Sequence, residues 1–560
     1  MSKKEKLNAA NRKTFISNSY DIGEALTKKQ ILNSLPKEWS NLHNSGAIHI
    51  HDLDAYNSTY NCLTFNMRNF PFYKIDTSND VSKIIGTFDQ IKFLISKFGN
   101  EQSGGMAFAN FDQELYDIFK QLKIKRVDKN KEILRECIKS FIWWCNETHE
   151  RMGQTSYYVT LNIGTPIDKE ATLITSLILT VFKEMPFEVY KPNIVFKVKK
   201  GINYEKKDKW FKLLQQSLIC TSKKMIPTYI CGDSSTNKDF DIRKLCVVGC
   251  RSRVYTDVFN KEGSIGRGNI ANTTINLPQI ALKLKQSKKI SIESFKKEWL
   301  KIATIVKNQL VDRYKKLCNK NVSDFPVNRD YQMWCTPFNK KLNDVFKHGT
   351  LSIGFIGLSE FIEILTGNVY WKDNESLNIA VNFVSFMRNE IDKFKKQTNL
   401  NFSLFAPAAE YVSGRFPEID KVKFNNKWTN KGFYTNSFHA YVDSGLSAVD
   451  KVKIEGKFHK YCNGGCITYI ELNEYPIDNY WGLYSLLRCS QDNGIHYLGF
   501  NFPKDKCKEC GTEGVFNVCP KCGSKNIKRL RRVSGYLEIT DYFTSGKKNE
   551  FKRRKENDYA

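Results

Sequence analysis

The chain has 560 residues, 41% of them hydrophobic, which is enough for a large core and, on length alone, for two to four domains. Its net charge of +28 is spread along the whole sequence among Asn and Ile rather than gathered into one face. Charge therefore argues for a solvated basic surface that attracts phosphate-bearing ligands, and against specific nucleic-acid binding. No run reaches the ~18 apolar residues that a membrane span requires, and no apolar segment follows the charged N-terminus, so the expectation is a cytoplasmic chain without a signal peptide. Sixteen cysteines in such a chain are expected as free thiols, metal ligands or catalytic groups rather than as a disulfide framework.

In chain order, the first distinctive segment is Ile48-His49-Ile50-His51-Asp52-Leu53-Asp54, followed shortly by Asn61-Cys62-Leu63. His51 beside Asp52 reads either as a satisfied structural pair or as a donor to a hydroxyl or phosphate. Apolar residues at three- and four-residue spacing predict helices at Val81 to Phe98, Ile290 to Leu317 and Glu375 to Lys396. Between them lie short strand-like runs bounded by Gly, Asn or Pro: Tyr157 to Ile163, Asn193 to Val198, Thr274 to Leu277 and Cys466 to Leu472. This alternation predicts an α/β architecture with many parallel strands, possible as a barrel. From Lys504 the texture changes to Cys, Gly and Lys, which divides the chain into a large domain over 1–503 and a small module over 504–560.

That module carries Cys507-Lys-Glu-Cys510-Gly and Cys519-Pro-Lys-Cys522-Gly, two C-x-x-C knuckles eight residues apart. Four thiolates at this spacing close a tetrahedral zinc shell with no open position, so the expected role is structural. Just beyond it comes Arg531-Arg532-Val533-Ser534-Gly535-Tyr536-Leu537. Gly535 reads as an ordinary turn or bulge residue, or as a residue whose Cα can carry a radical. Such a centre is planar, stabilised by the flanking amide groups, and hindered by any side chain.

The segment Arg-Val-Ser-Gly-Tyr-Leu directly after a paired knuckle resembles the class III anaerobic ribonucleotide reductases. Similar blocks recur in order: the His-rich segment, Ser103-Gly104-Gly105 with Phe111-Asp112, Gly249-Cys250-Arg251-Ser252, and Gly266-Arg267-Gly268-Asn269 leading to Ile275-Asn276-Leu277-Pro278. Gly354-Phe355-Ile356-Gly357-Leu358, Ser413-Gly414-Arg415-Phe416 and Thr435-Asn436-Ser437-Phe438-His439 complete the series. The resemblance implies the glycyl-radical ten-stranded β/α barrel, two parallel half-barrels around a loop that carries Cys250. It also implies reduction of ribonucleoside triphosphates, with Gly535 as the stored radical and Cys250 as the transient thiyl. Cys62 is then the thiol that protonates the leaving 2′-hydroxyl, and Asn276 the amide that holds ribose and formate, formate being the reductant. Cys462 and Cys466, around Asn463-Gly464-Gly465, keep a cysteine-based reductant open. His51, Ser252, Gly464 and Gly465 are candidate substrate contacts. A radical S-adenosylmethionine activase with a [4Fe-4S] cluster, a homodimer and allosteric control by nucleotides are implied as partners and behaviour. A family-like block at Asn8-Ala9-Ala10-Asn11 leaves no room for the ATP-cone that many members carry, so general inhibition by dATP is not expected.

The alternatives are a lyase- or dehydratase-type glycyl radical enzyme, a zinc-containing nucleic-acid binder, and a radical-inactive homologue acting as a scaffold. The lyase pattern calls for two adjacent cysteines in the central loop, and the chain has no Cys-Cys pair.

Overall fold

The computed structural model describes residues 15–72, 75, 79–150, 155–477 and 479–558. The Asn8–Asn11 block lies outside them. Ten strands form the frame: β1 (Cys62–Thr64), β2 (Met106–Phe108), β3 (Val159–Ile163), β4 (Asn193–Val198), β5 (Thr228–Cys231), β6 (Gly268–Asn276), β7 (Thr350–Ile356), β8 (Asn401–Phe405), β9 (Thr468–Glu471) and β10 (Tyr497–Asn501). Strands β1 to β5 pair in sequence, all parallel. Strands β6, β7 and β8 are parallel neighbours, as are β9 and β10. A parallel bridge between Phe405 and Gly465 links the end of β8 to the approach to β9. The two sets of five meet at antiparallel seams, Gly268 opposite Leu63 and Tyr497 opposite Ile230. Two parallel half-barrels facing each other are thus the observed architecture.

Parallel strands need long crossovers, and helices supply them. Lys169–Glu184 joins β3 to β4, Phe211–Lys224 joins β4 to β5, Ile292–Cys318 lies between β6 and β7, and Asn374–Thr398 joins β7 to β8. The three helices read from periodicity form within two residues of their expected ends, at Asp80–Gly99, Ile292–Cys318 and Asn374–Thr398. Their starts are set by side-chain caps. Asn79, Ser291 and Asp373 each accept the backbone N–H three residues on. With helices outside and a filled interior, β4 and β7 are buried along their whole length. Each fully buried Ile, Val or Phe there contributes roughly 1.5–3 kcal/mol. No described helix is long and apolar enough to cross a membrane.

Beyond β10, four short strands form a separate sheet: β11 (Lys504–Cys507), β12 (Glu513–Gly514), β13 (Ile527–Arg532) and β14 (Leu537–Ile539), in the order β12-β11-β13-β14. β13 and β14 are a hairpin whose tip, Val533 to Tyr536, enters the barrel. Arg532 ties that hairpin to β10, its backbone N–H donating to Asn501 Oδ1 (2.8 Å) and its Nε to the Phe500 carbonyl (2.9 Å).

Candidate active site

Two loop tips and one strand end meet inside the barrel. The first tip is a tight antiparallel hairpin in which Val247–Val248 pair with Ser252–Arg253, leaving Gly249, Cys250 and Arg251 at the turn. Asn162 on β3 holds one side of it, accepting the Val247 N–H (3.0 Å) and donating to the Val247 carbonyl (3.1 Å). Arg251 holds the other, with Nη1 donating to the carbonyls of Ala406 and Pro407, both at 3.2 Å. Gly464 and Gly465 stand behind this hairpin. Arg253 N–H donates to the Gly464 carbonyl (3.0 Å), and a Cβ on Gly465 would lie 2.0 Å from the Arg251 carbonyl oxygen. These two glycines therefore seat the hairpin and do not line the cavity in front of it.

The second tip carries Gly535, which is buried against the first. A Cβ added there would fall 1.8 Å from the Cys250 carbonyl oxygen and 2.8 Å from the Cys250 Cα. Only a residue without a side chain permits this backbone-on-backbone approach. Tyr536 packs edge-on against Tyr158, ring centres 5.3 Å apart, and closes the contact from one side.

Cys62, on β1, completes the group. Its thiol donates to Asn61 Oδ1 (2.7 Å) and accepts the Gly105 N–H (3.2 Å). A Cβ on Gly104 would lie 2.6 Å from Cys62 Sγ, and one on Gly105 would lie 3.0 Å from the Gly249 Cα. The Ser103-Gly104-Gly105 segment is thus bare because the thiol and the Cys250 hairpin both press on it. Between the two thiols opens a cavity of ≈ 160 Å³, whose walls include His51, Cys62, Cys250, Ser252, Asn272 and Glu410. His51 Nε2 is 2.8 Å from Thr274 Oγ1, and its backbone N–H donates to the Asn272 carbonyl (3.2 Å).

Burial raises the Cys250 pKa, with the Glu410 charge adding to the rise and Arg251 opposing it. The residue is therefore held as S–H at neutral pH, the form that can give up a hydrogen atom.

Asn272 and Asn276, both on β6, divide sharply. Asn276 is fully buried and does not line the cavity. Its Oδ1 caps the following helix by accepting the Gln279 N–H (3.1 Å), while Nδ2 donates to the Gly46 carbonyl and to Asp420 Oδ2, both at 2.9 Å. Both amide hydrogens and one lone pair of the oxygen are thus used within the fold, away from the cavity where ribose and formate were expected to be held. Asn272, four residues earlier, does line the cavity, and its Oδ1 is buried without a hydrogen-bond partner. Asn272 and Glu410 were missed from sequence. Asn272 carried a signal in its strand alternation, which puts it on the same face as Asn276. Glu410 had only its nearness to the Ser413-Gly414-Arg415 block. Cys462 and Cys466 are buried behind the hairpin and do not line the cavity either, with Cys466 Sγ 3.3 Å from His459 Nδ1.

The four knuckle cysteines converge as their spacing predicts. One sulfur from each of Cys507, Cys510, Cys519 and Cys522 lies within 4.8 Å of all the others. The Cys510–Cys519 and Cys507–Cys522 pairs are 3.5 and 3.6 Å apart. A zinc tetrathiolate with bonds of about 2.3 Å has edges of about 3.8 Å, so the donor set fits that ion. The two knuckles are built alike: Gly511 N–H donates to the Cys507 carbonyl and Gly523 N–H to the Cys519 carbonyl.

Comparison with known proteins places this geometry. The family model described as anaerobic ribonucleoside-triphosphate reductase matches residues 7–556. The anaerobic ribonucleoside-triphosphate reductase of Escherichia coli (strain K12) is 28% identical over 93% of this chain and 78% of its own length. That of Enterobacteria phage T4 is 27% identical over 95% of this chain and 94% of its own. Among solved structures, an anaerobic ribonucleotide reductase superposes with a TM-score of 0.72 at 16% identity, covering 97% of this chain and 89% of that one. The Thermotoga maritima enzyme in complex with dATP and CTP gives 0.71 at 15%, covering 97% and 92%. A glycyl radical enzyme from Archaeoglobus fulgidus gives 0.56 at 9%, covering 98% and 86%. These structural likenesses bear on the fold.

Proposed function

Since the chain belongs to the anaerobic ribonucleoside-triphosphate reductases, we propose that it reduces ribonucleoside triphosphates in the cavity between Cys62 and Cys250, with Gly535 as the stored radical and formate as the reductant. The observation that carries this reading is the packing of the Gly535 backbone directly on that of Cys250. It leaves a short path for a hydrogen atom from the Cys250 thiol to the Gly535 Cα.

The Cys250 thiyl so formed takes the ribose 3′ hydrogen, a transfer between bonds of similar strength that reverses at the end of turnover. Loss of the 2′-hydroxyl as water follows, the proton coming from Cys62. Formate then supplies the electrons and leaves as carbon dioxide, so that one ribonucleotide, one formate and one proton give one deoxyribonucleotide, one carbon dioxide and one water. Asn272, which lines the cavity, takes the binding role that sequence assigned to Asn276. His51 and Ser252 line the same space and serve as substrate contacts.

Cys507, Cys510, Cys519 and Cys522 hold zinc in this reading, and the ion fixes the base of the hairpin that presents Gly535. Radical generation falls to a separate radical S-adenosylmethionine activase, and the working unit is a homodimer. Nucleotide effectors control it, a reading that the complex of the Thermotoga maritima enzyme with dATP and CTP supports. The domain division follows the same logic, with the barrel over 1–503 and the radical-bearing module over 504–560.

An anaerobic assay of the activated chain with CTP and 13C-formate tests the reductant. Equimolar dCTP and 13C-carbon dioxide are expected. Full dCTP formation with a dithiol and no formate requirement would instead favour a cysteine-based reductant.

A further inference from the structure

Behind the glycine hairpin lies a second cavity, of ≈ 50 Å³, separate from the one between the thiols. Its walls come from the 435–444 loop, the barrel edge at Tyr469 and Glu471, the hairpin base at Arg532 and Val533, and the C-terminal stretch from Glu550 to Asn557. Four cations line it, Lys451, Arg532, Arg554 and Lys555, against two carboxylates, Glu471 and Glu550; Lys451 is already paired with the buried Glu455 (2.6 Å), so the excess rests on the arginines and Lys555. His439 adds no charge, because burial lowers its pKa.

The carboxylates are already engaged. Glu550 accepts from Lys547 and from Arg554 Nη2 (2.8 Å), and Glu471 accepts from Asn501 Nδ2 (2.5 Å). The guanidinium groups are not fully engaged. Arg532 is only 2% exposed, and its Nη1 is buried with no partner, although Nε and Nη2 bind the carbonyls of Phe500 and Met225. Arg554 has a side chain 9% exposed and a buried Nε with no partner, while its Nη1 donates to the Arg532 carbonyl (3.0 Å). Arg532 and Arg554 both line this space, each keeps a buried N–H without a partner, and more positive than negative charge lies around them, which calls for an acceptor that also carries charge.

We propose that this cavity binds one small oxyanion, of the size of formate or bicarbonate, that bridges Arg532 and Arg554. A single water needs about 10–15 Å³ of such space, so the cavity of ≈ 50 Å³ holds about three to five non-hydrogen atoms, which excludes a nucleotide. The bound anion joins the strand that ends three residues before Gly535 to the C-terminal tail, and so steadies the hairpin tip. This site stands independently of formate as reductant, because it is built from other residues and needs no redox step.

The test uses the full-length, zinc-loaded chain under anaerobic conditions, with nitrate as a planar probe and chloride holding ionic strength constant. Amide hydrogen exchange across 533–537 is followed as nitrate is titrated. Saturable slowing of roughly threefold or more is expected in the wild type, by linkage of binding to local opening. Arg554→Gln should remove the effect, and Lys555→Ala should raise the half-saturating concentration by about threefold, as expected for one exposed charge. Equal slowing in wild type and Arg554→Gln would place the anion elsewhere and overturn the proposal. Wild-type crystals soaked in nitrate need no variant: planar density touching both guanidinium groups supports the site, and water alone contradicts it. Formate and bicarbonate run as parallel arms, and slowing by neither would also contradict it.

Discussion

The hairpin tip at Gly535 and the knuckle turns at Gly511 and Gly523 are built from the same residue pair, cysteine and glycine, for opposite reasons. At the knuckles the glycines sit at φ +74° and +70°, with nothing within 4 Å of an added Cβ. What matters there is the backbone angle, and space is free. Gly535 is absent from the left-handed region, yet an added Cβ would collide with the Cys250 backbone. What matters there is the absence of a side chain. The module thus uses glycine to turn the chain around a four-thiol cluster, and the barrel uses it to bring two main chains together. The first is a folding device and the second, in the proposed reaction, a functional one, so substitutions should separate them.

The largest expected effect is at the tip. Gly535→Ala puts a methyl group on the radical carbon and forces the two loops apart, so turnover should vanish while the metal content of the module stays at one ion per chain. Retained turnover would break the comparison at once. Next comes removal of the metal. Chelation, or Cys510→Ser, should abolish the ordering of the module, since binding energy in such sites is folding energy. Hydrogen exchange should then rise through Cys507 to Leu537 while the core strand Asn193–Val198 stays protected.

A smaller effect separates two asparagines of one strand. Asn272→Ala should cut kcat or raise KM with little change in Tm. Asn276→Ala should behave in the reverse sense, because it loses a helix cap and leaves Asp420 with one donor fewer, a cost of about 2–4 kcal/mol. Burial already raises the Asp420 pKa, which makes that lost donor matter. The smallest effect is Gly511→Ala, where a positive φ without crowding should cost about 1 kcal/mol and leave turnover intact. A thermal melt with an activity assay on the same preparation reads both variants.

Much of the frame was legible because it follows period. Asn193–Val198 is a strand with the bounds its run predicts, and the three long helices have apolar stripes that leave little freedom. The antiparallel seams were not legible. They depend on three- and four-residue strands such as Cys62–Thr64 and Thr228–Cys231, too short to show alternation. The four-cysteine cluster could be read outright, since four thiols in two adjacent knuckles need no tertiary information. The cavity could be read only as a set of motifs. Asn276 precedes Leu277-Pro278, a pattern that marks a helix start, and local chemistry claims its amide. Asn272 shows its place in the cavity wall only once His51, Cys62 and Cys250 are brought around it by contacts far apart in sequence.

The central claim is that the carbon beside Cys250 stores the radical. The direct test is electron paramagnetic resonance after anaerobic activation by a radical S-adenosylmethionine activase, on chain made with ordinary glycine and with α-deuterated glycine. The account predicts a doublet from the single α-hydrogen of Gly535 that collapses on deuteration and is missing in Gly535→Ala. A doublet that survives in Gly535→Ala, or a signal indifferent to deuteration, would contradict it.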